Sequence, residues 1–288
     1  MQHFYFDHNA TTPVSPEVLD TLLPAMAEVY GNASSIHYQG QLAKQRLEIA
    51  RRQVAALLHC DAREIVFVSG GTEANNLAIF GSVHTGQHIV TSSIEHPAVL
   101  NPCSELERAG VEVTQVPVAS DGIVDPHDIR RALRPNTVLV SIMHANNETG
   151  ALQPIAEIGR ITQEAGVTFH VDGVQAVGKT AVDVRSLGVD LYSMSGHKLY
   201  APKGIGALFV KKGTKLRPLL FGGRHEREFR AGTENVPGAM ALGRAALVVS
   251  ESPVSEALGS EPARLAVLRD HLESELLARV PDCGVNCA

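Results

Sequence analysis

An α/β domain with a mainly parallel sheet is the fold class this sequence predicts. Between residues 64 and 210, short β-rich apolar runs alternate with helix-like segments. Those segments are about 10–15 residues long, the length of a crossover between parallel strands. With 288 residues, 44% apolar and 19% charged, the chain can build one large α/β domain and part of a smaller one.

SPEVLDTLLPAMAEVY reads as a helix capped by Ser15, with Pro16 at its first helical position. QLAKQRLEIARRQVAALLHC is a long helix with apolar residues at helical spacing. EIVFVS (64–69) is the first strand, followed by a Gly-Gly-Thr turn and the helix-like EANNLAIFGSV. HIVTS (88–92) is the second strand, and PAVLNPCSELERAG is a helix bounded by Pro97 and Gly110. VEVTQVPV is a strand, and DPHDIRRAL is a helix opened by Asp125 and Pro126. TVLVSIMHA, VTFHVD, LYSMSG and GALFVKK complete the strands, with the helix IAEIGRITQEAG between the first two of these. Beyond residue 234 the composition turns Ala/Leu/Val-rich, and ARLAVLRDHLESELLARV is the clearest amphipathic helix.

Composition excludes several classes of function. The net charge of −6, from 25 basic and 31 acidic residues, comes without any Lys/Arg stripe, so no nucleic-acid surface is expected. Lys211 to Lys215 is a short cluster suited to a solvated turn. No apolar run reaches about 18 residues, and the N-terminus lacks the pattern of a signal peptide, so neither a membrane span nor export is expected and the cytoplasm is the default. Cys60, Cys103, Cys283 and Cys287 are scattered and expected to be free thiols. The C-x3-C spacing of the last two lacks a second ligand pair, so no metal site is expected.

In an open parallel sheet, ligands bind beyond the carboxyl ends of the strands. Four strand-end motifs stand there. Ser69-Gly70-Gly71-Thr72-Glu73 leads into a helix whose free N–H groups suit a phosphate, or is an ordinary turn with Thr72 as N-cap. His96, in Ser93-Ile94-Glu95-His96-Pro97, could be a base, a stacking platform or a plain loop residue. Asp172 ends an apolar strand with Gln175 close behind; it is either a carboxylate awaiting a cation or a surface helix cap. In SMSGHKLYAPKG, Ser195, His197 and Lys198 precede a Pro/Gly-rich turn, and the lysine is either functional or solvated. Together they supply what a pyridoxal-phosphate (PLP) site needs. These needs are an amine for the cofactor aldehyde, a carboxylate for the pyridine nitrogen, and hydroxyls with a helix N-terminus for the phosphate.

The chain resembles the cysteine desulfurases, in the class V aminotransferase group of fold-type I PLP enzymes. The matching motifs are FDHNATTP (6–13), GNASSIHYQG (31–40), VSGGTEANNLAI (68–79), EHPAVL (95–100), SIMHANNETG (141–150), FHVDGVQAVGK (169–179), SMSGHKLYAPKGIGALFV (193–210) and GGRHEREFRAGTENVPGAMALG (222–243). The resemblance implies a mainly parallel central sheet with helices on both faces, plus a small C-terminal α/β domain. Expected boundaries are an N-terminal segment (1–15), a large PLP-binding domain (16–245) and an incomplete small domain (246–288).

It also implies roles. Lys198 would carry PLP and move the proton, and His96 would stack on the ring and assist proton transfer. Asp172 would pair with the pyridine nitrogen, while Gln175 and Asn147 would lie at the phenolic oxygen. Gly71, Thr72, Ser195 and His197 would bind the phosphate, and Thr233 would reach the phosphate of the partner subunit in a homodimer. The implied reaction converts L-cysteine to L-alanine and leaves sulfur on an enzyme cysteine as a persulfide. A sulfur carrier or iron–sulfur scaffold would then receive it.

Two departures are visible. None of the four cysteines has the sequence context of the acceptor loop, so the chain is expected to stop before that loop and the substrate-carboxylate arginine. It would be either an incomplete desulfurase or a natural short form that binds PLP without sulfur transfer. A related class V activity, selenocysteine lyase or aminotransferase, is the enzymatic alternative. Second, Gly173 stands where the family often has alanine, a change expected to be tolerated.

Overall fold

The computed structural model of the chain describes residues 4–251 and 261–285. Its elements in chain order are α1 (Pro16–Glu28), α2 (Tyr38–Leu57), β1 (Ile65–Val68), α3 (Gly71–Ser82), β2 (His88–Ser92), α4 (Pro97–Arg108), β3 (Glu112–Val116), α5 (Pro126–Ala132), β4 (Thr137–Met143), α6 (Ile155–Ala165), β5 (Thr168–Asp172), β6 (Leu191–Ser195), β7 (Gly206–Val210), α7 (Val236–Glu251) and α8 (Glu261–Arg279). Each strand and helix expected from the sequence forms. Ser15 caps α1 by accepting from the Val18 amide, and Asp125 caps α5 by accepting from His127.

The strands make one sheet in the order β1-β7-β6-β5-β4-β2-β3. Six of them, β1, β6, β5, β4, β2 and β3, run in the same direction, whereas β7 runs antiparallel to both its neighbours. The connection explains the exception. Only the ten residues 196–205 join β6 to β7, too few for a crossover helix.

Side chains alternate between the two faces of the sheet. Ile65 and Phe67 of β1 join one core with residues of α2, α5, α6 and α7, while Val66 and Val68 pack with α3. Ile89 and Leu139 lie against α4 on that second face. Burial on both sides is why the central strands are nearly continuous apolar runs.

Two polar devices in this core were not legible in the sequence. His170 bridges the hydroxyls of Ser141 at 2.8 Å and Ser193 at 3.0 Å, riveting β4, β5 and β6 together. Burial holds its imidazole neutral, with its proton affinity lowered to about 3. Arg51 of α2 makes a bidentate pair with Glu226, 2.7 Å on each arm, and the same carboxylate accepts from the Phe67 amide at 2.8 Å. The pair pins a left-handed turn at Glu226, Arg227 and Glu228 (φ 44°, 54° and 72°) against β1.

On α8, by contrast, Leu268 and Leu272 are 51% and 61% exposed. Among the described residues no helix is long and apolar enough to cross a membrane, and no His/Cys/Asp/Glu cluster could hold a metal ion. Cys287 of the C-x3-C pair lies outside the described residues.

Candidate active site

The carboxyl ends of β4, β5 and β6, the turn after β1 and the segment after β2 meet around a cavity of about 480 Å³. Gly71, Thr72, His96, Asn147, Asp172, Gln175, Ser195, His197 and Lys198 all line it. Thr233 does not. It is exposed and lines a separate cavity of about 110 Å³ with Arg230 and Gly204.

Asp172 is not a surface cap, since only 6% of it is exposed. Its carboxylate accepts from the Val174 amide at 3.0 Å and from Asn75 Nδ2 at 2.6 Å. Burial raises its pKa, opposed by these hydrogen bonds and by His96 and Lys198. Among the described residues no ion pair neutralises it, so a cationic ring nitrogen would find its partner here.

Thr72 is not the cap of α3 either. Gly70 holds that position and no side chain caps the helix. The helix therefore presents uncapped N–H groups to the cavity beside Thr72, Ser195 and His197, a cradle for a phosphate. Gly71 keeps the approach open, because a Cβ there would lie 2.6 Å from Val174 Cγ2.

His96 caps α4 and its Nδ1 accepts from the Ala98 amide at 3.0 Å, so in the neutral ring the proton sits on Nε2. Lys198 donates to the Ala10 carbonyl at 2.9 Å and to that of Asn9. Its pKa is lowered, chiefly by burial, with Asp7 and Asp172 pulling the other way.

Sequence reasoning missed several parts of this site. Asp7, Asn9 and Ala10 line the cavity. The Thr12 amide and hydroxyl bond the His197 carbonyl at 3.0 and 2.9 Å, so the N-terminal segment is laced to the lysine turn. The signal was the FDHNATTP motif, which carried the resemblance without a role attached.

Asn75 lies one helical turn into α3, and nothing in its spacing marks it. Glu95 is 4% exposed, accepts from Ser92 Oγ at 2.6 Å and the Met143 amide at 2.9 Å, and is pushed up to about 8 by burial. Gly173 is explained by its neighbour: a Cβ there would lie 1.9 Å from Cε1 of Tyr192. Cys60, Cys103 and Cys283 are free, and none of them lines the cavity. Burial pushes the thiols of Cys60 and Cys103 up to about 12.

The donor set thus fits a phosphorylated pyridine aldehyde: a buried carboxylate, an uncapped helix N-terminus among hydroxyls, and an amine of lowered proton affinity.

Comparison with known proteins agrees. The family model described as aminotransferase class-V matches residues 4–284. A cysteine desulfurase IscS of Dictyoglomus turgidum is 46% identical, the match covering 98% of this chain and 71% of that protein. The X-ray structure of a NifS-like protein from Rickettsia africae superposes with a TM-score of 0.89 at 34% identity, covering 100% of this chain and 79% of that one. A structure described as SspA in complex with cysteine gives 0.85 at 38% identity, covering 93% and 78%.

Proposed function

Because this chain belongs to the aminotransferase class-V family and, within it, to the PLP-dependent cysteine desulfurases, we propose how its residues divide the conversion of L-cysteine to L-alanine. The observation that carries the assignment is the convergence of Asp172, Lys198 and the uncapped N-terminus of α3 on one cavity.

When bound, pyridoxal phosphate supplies an electron sink for the pair left at the substrate Cα. Lys198 Nζ would hold the cofactor through its aldehyde and would serve as the base for the substrate Cα proton. Its lowered proton affinity suits that base. Asp172 keeps the ring nitrogen protonated, and Asn75 holds the carboxylate in place. His96, at the cavity wall, would face the ring with its Nε2–H available to relay a proton. Gln175 and Asn147 would face the phenolic oxygen, and Gly71, Thr72, Ser195 and His197 would hold the phosphate.

Sulfur leaves when a cysteine thiolate attacks the substrate sulfur. An S–S bond forms as the Cβ–S bond breaks, the bonding pair stays on Cβ, Cβ takes a proton to become the methyl of alanine, and Lys198 returns a proton to Cα. Cys60 and Cys103 are unsuited to this attack: both thiols are strongly protonated and neither lines the cavity.

The same reading places Thr233 at the phosphate of a partner subunit in a homodimer, supported by its exposure away from its own cavity. It also includes a sulfur carrier or iron–sulfur scaffold as acceptor and a reducing cytoplasm, which suits free thiols. The divisions at residues 1–15, 16–245 and 246–288 belong to it as well.

The test is spectroscopic. Purified protein with PLP should show the visible band of lysine-bound cofactor, L-cysteine should change that band, and Lys198→Ala should abolish it. A colourless, PLP-free protein would overturn the assignment.

A further inference from the structure

Lys179 lies outside the cavity, one helix-like turn beyond Gln175. Its Nζ donates to Gln175 Oε1 at 2.5 Å and to Asn9 Oδ1 at 3.1 Å. The other end of the amide, Gln175 Nε2, donates to the Asn9 carbonyl at 3.0 Å. That same carbonyl accepts from Lys198, so Lys179, Gln175, Asn9 and Lys198 form one chain of hydrogen bonds.

A side-chain amide has a donor end and an acceptor end of nearly the same shape. Which end faces the cavity is decided by its partners. An ammonium can only donate and a carbonyl can only accept, so Lys179 at Oε1 and the Asn9 carbonyl at Nε2 select the same orientation, with the second N–H of Nε2 left for the cavity side. A phenolic oxygen needs that donor; a flipped amide would offer it an acceptor instead.

We infer that Lys179 is a positioning residue that fixes the orientation of Gln175, so that a hydrogen-bond donor faces the phenolic oxygen of the bound cofactor. The inference rests on the PLP reading above. It goes beyond that reading because Lys179 touches neither cofactor nor substrate.

A second consequence follows from charge. Asp7 and Asp172 favour the protonated form of the Lys198 nitrogen; like charges repel, so a nearby Lys179 ammonium opposes it. Lys179 pays in its own proton affinity, which falls to about 8 through burial and the charge of Lys198. Removing Lys179 takes away the opposing charge and frees the amide. Both changes favour the protonated form of the lysine-bound cofactor.

The experiment is a pH titration of the visible band in holoenzyme. Lys179→Met should move the midpoint alkaline by about one pH unit, the size expected for losing a nearby charge and a hydrogen bond together. Lys179→Arg keeps a donor-only cationic head and should stay near the wild-type midpoint, which also guards against misfolding of the methionine variant. If Lys179 acts through Gln175, the shifts of Lys179→Met and Gln175→Ala will not add in the double variant. Additive shifts, or an unmoved midpoint in loaded Lys179→Met, would overturn the inference. Absence of the band in the wild-type protein is a separate result: it removes the PLP reading itself, and the inference with it.

Discussion

Gly173→Ala is the substitution whose effect the structure fixes most tightly. It adds a single methyl group to the residue after Asp172. An ideal Cβ at this position lies 1.9 Å from Cε1, 2.1 Å from Cζ and 2.4 Å from the hydroxyl oxygen of Tyr192. Ordinary carbon–carbon contact needs about 3.5–4.0 Å. The ring must therefore retreat by well over an ångström, yet Tyr192 is fully buried and its hydroxyl is tied to His144 Nδ1 at 2.8 Å.

Overpacking of this kind costs about 1–3 kcal/mol. A rigid, enclosed ring puts the cost at the upper end, and losing the His144 hydrogen bond adds about 1 kcal/mol. We expect Gly173→Ala to lose about 3–4 kcal/mol in urea unfolding at unchanged m-value. Tyr192→Leu should relieve it. Alone it leaves a cavity and costs about 2 kcal/mol, but in the double variant the new methyl fills part of that space. The double variant should be at least about 2 kcal/mol more stable than the sum of the singles predicts. A Gly173→Ala protein within about 0.5 kcal/mol of wild type would refute the steric argument, as would full additivity.

Three further outcomes are expected. Asn75→Ala removes the 2.6 Å hydrogen bond to Asp172, and a bond to a charged group is worth about 1.5–3 kcal/mol, so PLP affinity measured by fluorescence titration should fall about 10–100-fold. Glu226→Gln or Arg51→Met strands a buried charge and should cost about 3–5 kcal/mol in urea unfolding, with the double variant costing less than the sum. Stability should also depend on pH in two directions. His170 and His144 have proton affinities lowered to about 3 and about 4; below their ordinary 6.5 the unfolded chain binds more protons, so stability falls as pH drops. Glu95, raised from 4.5 to about 8, holds a proton that the unfolded chain has released, so stability also falls as pH rises through that window. Glu95→Gln should flatten the alkaline limb in urea midpoints taken from pH 5 to about 8, and an unchanged slope would refute the assignment.

The alternation of strands and helices can be read along the chain, because burial on both faces writes itself as apolar runs such as IVFV and TVLVSIM. So can the strand-end residues Asp172, Ser195, His197 and Lys198. The carboxyl edge of a parallel sheet is where short polar motifs interrupt apolar runs.

Relations between residues far apart in the chain emerge only once the chain is folded. Asn75 meets Asp172 across 97 positions, Arg51 meets Glu226 across 175, and the N-terminal segment meets Lys198 across 189. None of these has a local period to betray it. The direction of β7 and the need for glycine at 173 belong here too. The first is set by a short connection that has meaning only once the sheet exists, and the second by an aromatic ring from the neighbouring strand, β6.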